Sequence, residues 1–102
     1  LVISKEPKNF GTLLSKVKEY FRIYHNSDNE KRMYLKYIFR DELNRFVTDN
    51  VIKSYYMTAV RESKSVEYEI RLMPIEAVTY IEAILFTDGS VKIREIAPYE
   101  GV

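Results

Sequence analysis

Apolar residues near the N-terminus recur at helical spacing, at Phe10, Leu13, Leu14 and Val17, behind Asn9, a residue type suited to capping a helix. The spacing runs on through Tyr20, Phe21 and Tyr24, so a single helix over residues 10–24 is one reading of the stretch. Residues 17–24 are also rich in β-branched and aromatic side chains, which favours a strand there, after a helix that ends near Lys16. Residues 2–9, with Pro7, read as an arm. The turn formers HNSDNE at residues 25–30 then join two extended segments. Residues 31–39 alternate in part, with Met33, Leu35, Tyr37 and Phe39 on one face and Tyr34 and Ile38 on the other. Residues 41–49 return to helical period through Leu43, Phe46 and Val47, with Asp41 and Glu42 in the first turn, where the helix dipole favours acids.

In the second half, residues 51–60 predict a strand and the polar run 61–65 a loop. Val66, Tyr68, Ile70 and Leu72 alternate strictly with Glu67, Glu69 and Arg71, the pattern of a strand with one buried face. Pro74 suits a first helical turn, and Ile75, Val78 and Ile81 predict a short helix to about Glu82. Residues 84–87 and 91–96 flank Asp88 and Gly89, a strong hairpin signal. Pro98 ends the last strand and residues 99–102 read as tail.

A repeat organises these elements. YLKYIFRDELNRFV at residues 34–47 returns in degenerate form as YEIRLMPIEAVTYI at residues 68–81, and Val17, Lys18, Tyr20 and Phe21 answer to Ile52, Lys53, Tyr55 and Tyr56. The expected fold is therefore α+β, a single domain over residues 1–102. It comprises two duplicated ββα units, residues 17–50 and 52–83, plus a closing C-terminal hairpin. Its sheet is antiparallel or mixed, with short helices packed on it. A ferredoxin-like βαββαβ core is the alternative, because the middle of the chain also reads in that order. The competing arrangement is an N-terminal helical hairpin with a C-terminal β-meander. Phe39, Phe46, Val47, Ile70, Leu72 and Ile81 are the expected core.

Composition narrows the function more than the fold. With 46% hydrophobic and 30% charged residues among 102, the chain is globular rather than disordered. It has no Cys, which excludes disulfides, thiolate metal sites and thiol nucleophiles and points to an intracellular protein. The absence of Cys and Gln alongside abundant Lys, Arg and Glu fits a protein from a hot environment. Sixteen basic residues against fifteen acidic ones, net +1, lack the positive excess of a phosphate-tracking domain. No apolar run approaches a membrane span, so no membrane partner is expected.

Candidate chemistry is sparse. His25 is the sole histidine and stands in a polar turn, so no metal site and no cofactor are expected. Glu67 and Glu69 share a strand face, where pairing with Arg71 or a cross-strand Lys outweighs an acid–base role. With only Gly11, Gly89 and Gly101, the GxSxG, Walker and Rossmann patterns are all missing, and an enzyme is not expected. Nine Tyr and five Phe exceed what a small core absorbs. Tyr20, Tyr34, Tyr55 and Tyr56 are the candidates for a partner-binding groove between the two units, tyrosine giving large contact area at low entropy cost. The expected function is a non-enzymatic protein–protein interaction module that receives a polypeptide segment there, or a second copy of the chain. The alternative is single-stranded nucleic-acid binding through Lys18, Tyr20, Arg22 and Lys53, basic and aromatic residues interleaved along strands.

VISKEPKNF at residues 2–10, with KRMYLKYIFRDEL at residues 31–43, resembles a small orphan protein of the Acidianus filamentous viruses, archaeal lipothrixviruses of hot acidic springs. The resemblance extends over the whole chain in overall texture and carries no catalytic or binding residues with it. It implies a compact protein in the cytoplasm of a hot-adapted host.

Overall fold

The computed structural model describes residues 5–75 and 77–97, with side chains from Phe10 onward, and the element order is two helices followed by four strands. α1 spans Lys5–His25 and α2 Asn29–Thr48; β1 spans Ile52–Ala59, β2 Val66–Pro74, β3 Tyr80–Phe86 and β4 Val91–Ile96. The chain is α+β and divides between Val51 and Ile52 into two compact units, a helical hairpin and a four-stranded antiparallel sheet. The expected elements at residues 2–4, at Glu76 and at residues 98–102 lie outside the described residues.

In the helical unit the period of the apolar residues overrides β propensity. Leu13, Val17, Tyr20, Phe21 and Tyr24 fall three or four apart, so a helix gathers all five on one side, and all five are buried. The strand expected over residues 17–24 is therefore the second half of α1. Its start also lies earlier than expected: Asn9 is inside the helix, and Pro7 sits in the first turn, whose N–H groups have no intrahelical acceptor in any case. The strand expected over residues 31–39 is likewise helical. Leu35, Phe39 and Leu43 recur every four residues, whereas the alternation through Met33 and Tyr37 marks exposed positions. The helix expected from Asp41 is the C-terminal half of α2, and Phe46 and Val47 in it are half-buried rather than core.

The HNSDNE turn is a turn as expected, but between helices. Ser27 Oγ and Asn26 Nδ2 donate to the Ile23 and Arg22 carbonyls at 2.7 and 2.9 Å, closing α1. Asp28 caps α2 by accepting from the Lys31 N–H at 2.9 Å. Arg32 reaches back from the first turn of α2, donating to the Tyr24 and His25 carbonyls at 2.8 and 3.1 Å, with its guanidinium 4.5 Å from the Tyr24 ring centroid. One arginine thus ties the open C-terminus of α1 to the start of α2. At the far end Asn50 takes φ 61°, and the Val51 and Asn50 N–H groups donate to the Phe46 and Val47 carbonyls at 2.9 and 3.1 Å, a Schellman stop for α2.

The sheet runs β1-β2-β3-β4, every neighbour antiparallel. Tyr68, Ile70 and Leu72 pair with Leu85, Ala83 and Ile81, and these six form one buried face, as the strict alternation of β2 anticipates. The loop at residues 61–65 stands as expected, braced by Ser63 Oγ, which accepts from the Val66 N–H at 3.0 Å. The β3–β4 hairpin also stands: Gly89 takes φ 91° at the left-handed position of a three-residue loop, and Ser90 O accepts from the Phe86 N–H at 2.9 Å. The helix expected over residues 74–82 does not form. Pro74 ends β2, Val78 is exposed, and Ile81 belongs to β3, whose YIEAILF run of β-branched and aromatic residues suits an interior strand.

Residues 17–24 are helix while residues 52–56 are strand, so the duplicated ββα units do not form. Two helices precede all four strands, so the chain is not a βαββαβ core either. The correspondences between the two halves lie in residue type, and they do not carry shared geometry.

Candidate functional site

A furrow of about 230 Å³ lies between α1 and α2. Its floor is the Tyr20 ring stacked on Phe39, centroids 4.4 Å apart and planes 6° from parallel. Its walls are Ile23 from α1 and Leu35 and Ile38 from α2. These side chains converge because the helices are joined by a short turn and run antiparallel, which sets Tyr20 against Phe39 and Ile23 near Leu35. One end is closed by an ion pair between Lys16 Nζ and Glu42 Oε1 at 3.6 Å, and Glu19 at the rim is paired with Arg22 at 3.2 Å. The rim charges are thus largely matched among themselves, while the interior is apolar. A furrow of this kind selects for an apolar side chain, and for no particular charge on its bearer.

A second depression, of about 470 Å³, lies on the sheet face that carries Tyr56, Glu69, Arg71 and Met73. Register explains what lines it. Tyr56 pairs with Arg71, Arg71 with Glu82, and Glu82 with Arg94, so the four side chains form one row across the sheet. Arg94 Nε donates to Glu82 Oε1 at 2.7 Å, Arg71 Nε lies 3.4 Å from Glu82 Oε2, and the Arg71 guanidinium is 6.0 Å from the Tyr56 ring centroid. Glu82, 3% exposed, is held between two arginines. Sequence reading placed it at the end of a helix and missed it. The available signal was its position in an apolar run, where a carboxylate requires a partner on each neighbouring strand. Arg71 pairs with Glu82, not with the expected Glu67 or Glu69.

The four candidate tyrosines do not form one surface. Tyr20 is 5% exposed and serves as furrow floor, while Tyr34, 65% exposed, lies on a different side of α2. Tyr55 and Tyr56 are consecutive on β1, and their side chains leave opposite faces of the sheet. The nucleic-acid set separates as well. Lys18 and Arg22 share the exposed side of α1, Tyr20 lies on its buried side, and Lys53 is on β1. The row expected along one strand is split by the helical period. Among the described residues no three His, Asp or Glu gather as a metal site, and no helix is long and apolar enough to cross a membrane. His25 is the last residue of α1, its carbonyl engaged by Arg32.

Against known protein families, curated proteins and solved structures the chain gives no match, so the functional reading rests on its own geometry.

Proposed function

We propose that this chain is a non-enzymatic protein–protein interaction module whose helical hairpin receives an amphipathic helix from a polypeptide partner, one large apolar side chain entering the furrow between α1 and α2. The furrow carries the reading. About 230 Å³ falls below the roughly 300–1,000 Å³ of small-molecule sites yet accommodates a leucine or phenylalanine side chain. A helix laid along the furrow would set its apolar anchor between Ile23 and Leu35, with polar residues facing Lys16, Glu19 and Glu42.

The test is selection of helical peptides from a randomised library against the full chain, followed by calorimetry on wild type and Ile23→Glu. Ile23 is half-buried at the furrow wall, so the variant is checked for wild-type helicity by circular dichroism. Selected peptides should share a leucine or phenylalanine, lose at least tenfold affinity when it becomes alanine, and lose as much on Ile23→Glu. Peptides without an apolar anchor, or peptides that bind Ile23→Glu as tightly as wild type, would remove the furrow as the site.

A further inference from the structure

α2 has a second apolar surface that the furrow does not use. Met33, Tyr34, Tyr37 and Ile38 are 59–65% exposed. At roughly 100° per residue they centre on the side of the helix opposite Phe39 and Leu43. Apart from Ile38, which also borders the furrow, none of them lines it. Four such side chains expose on the order of 500 Å², at the upper end of what a monomer leaves uncovered. Along the same stripe lie Glu30 toward the start of the helix, Asp41 past its middle and Arg45 in its last turn, all exposed. Arg40 packs beside the stripe, its guanidinium 5.5 Å from the Tyr37 ring centroid.

The charges decide what this surface fits. A parallel copy of α2 would set Glu30, Asp41 and Arg45 each against itself, three like-charge contacts. An antiparallel copy centred two residues nearer the N-terminus would set Glu30 against Asp41. An antiparallel copy centred between Tyr37 and Ile38 places Glu30 opposite Arg45, Tyr34 opposite Asp41 and Tyr37 opposite Ile38. In that register every charge on the stripe meets an opposite charge or a phenol able to donate to it, and symmetry makes each contact twice. Antiparallel packing also sets the helix dipoles head to tail. A net charge of +1 leaves little repulsion between copies.

We infer that this face of α2 is a self-association surface, on which two copies of the chain pair their α2 helices antiparallel about a two-fold axis between Tyr37 and Ile38. The buried area, about 1,000 Å² over both copies, lies just below the standard interface range, so the dimer is reversible and dissociates on dilution. The surface shares Ile38 with the wall of the peptide furrow and is otherwise distinct from it, and the inference does not rest on the furrow's being a peptide site.

Sedimentation velocity on the full chain over a wide concentration range tests it, with circular dichroism verifying that each variant is folded. Wild type should show a reversible monomer–dimer equilibrium, and Tyr37→Glu should abolish it. Glu30→Arg alone should weaken the dimer about tenfold, since both symmetry-related pairs become repulsive, and the double variant Glu30→Arg, Arg45→Glu should restore it. Ile23→Glu, at the furrow, should leave it unchanged. A chain monomeric at every concentration, a dimer indifferent to Tyr37→Glu, or a charge exchange that fails to rescue would each overturn the inference.

Discussion

Replacing Glu82 with glutamine keeps the shape of the side chain and removes its charge, which isolates the part of the sheet that electrostatics holds. In the native row Glu82 accepts from Arg94 at 2.7 Å and lies 3.4 Å from Arg71. Charge-assisted hydrogen bonds contribute roughly 1.5–3 kcal/mol each, about twice a neutral one. Glutamine retains one acceptor oxygen, so part of the Arg94 bond survives, while two arginines now flank a neutral group. Breaking a fully buried ion pair costs roughly 3–5 kcal/mol, but that figure is an upper bound here. The arginine side chains are about half exposed and regain water when the carboxylate is lost. Together these set the expected loss at about 2 kcal/mol. Urea unfolding measures it. With a slope near 1 kcal/mol per molar for a chain of this size, the midpoint should fall by about 2 M with the slope unchanged. Arg94→Met should cost less, about 1 kcal/mol, because Arg71 still neutralises Glu82, and the double variant should show coupling between the two sites. A loss below about 0.5 kcal/mol, or one that vanishes in strong salt as exposed pairs do, would refute the claim that the row is a buried structural clamp.

Substitutions at three further positions test the packing and the helices. Gly11 lies in the interior of α1 with nothing within 4 Å of the place a Cβ would occupy, so Gly11→Ala should stabilise the chain by roughly 0.5–1 kcal/mol, read as a rise in thermal midpoint. Ile70 is fully buried in the middle of β2, so Ile70→Ala should cost roughly 2–5 kcal/mol in denaturant unfolding; a much smaller loss would place the buried face of β2 on the other side. Asn50 holds the left-handed position that stops α2, so Asn50→Val should destabilise by about 1–2 kcal/mol while Asn50→Gly should be near neutral; equal effects would show that φ 61° is not what the position requires.

The elements legible in the sequence were those in which period, propensity and turn chemistry agreed. β2 alternates over seven residues, the Asp88-Gly89 pair supplies a left-handed glycine, and the HNSDNE turn carries its own capping groups. Misreadings arose where two signals competed. Over residues 17–24 the side chains favour a strand by type and a helix by spacing, and the spacing prevailed because it alone gathers Val17, Tyr20, Phe21 and Tyr24 on one side. Over residues 74–82 a weak helical stripe through Ile75 and Val78 concealed the start of an apolar interior strand. The apparent repeat reinforced both errors by aligning helix with strand. Of the site, Tyr20 was legible as an important aromatic, yet its role as a stacked floor depends on Phe39, a residue brought to it only when the helices fold back. Glu82 and its two arginines come together through strand register, which local pattern does not encode.

The furrow as a polypeptide site is tested most directly by methyl-resolved NMR on the full chain, titrated with a peptide selected as above. Shift changes and intermolecular contacts should converge on the methyl groups of Ile23, Leu35 and Ile38 around the Tyr20–Phe39 floor. The apolar anchor of the peptide should be the group in contact. Perturbations centred instead on sheet residues such as Met57, Met73 or Ile84, with Ile23 and Leu35 unmoved, would contradict the account.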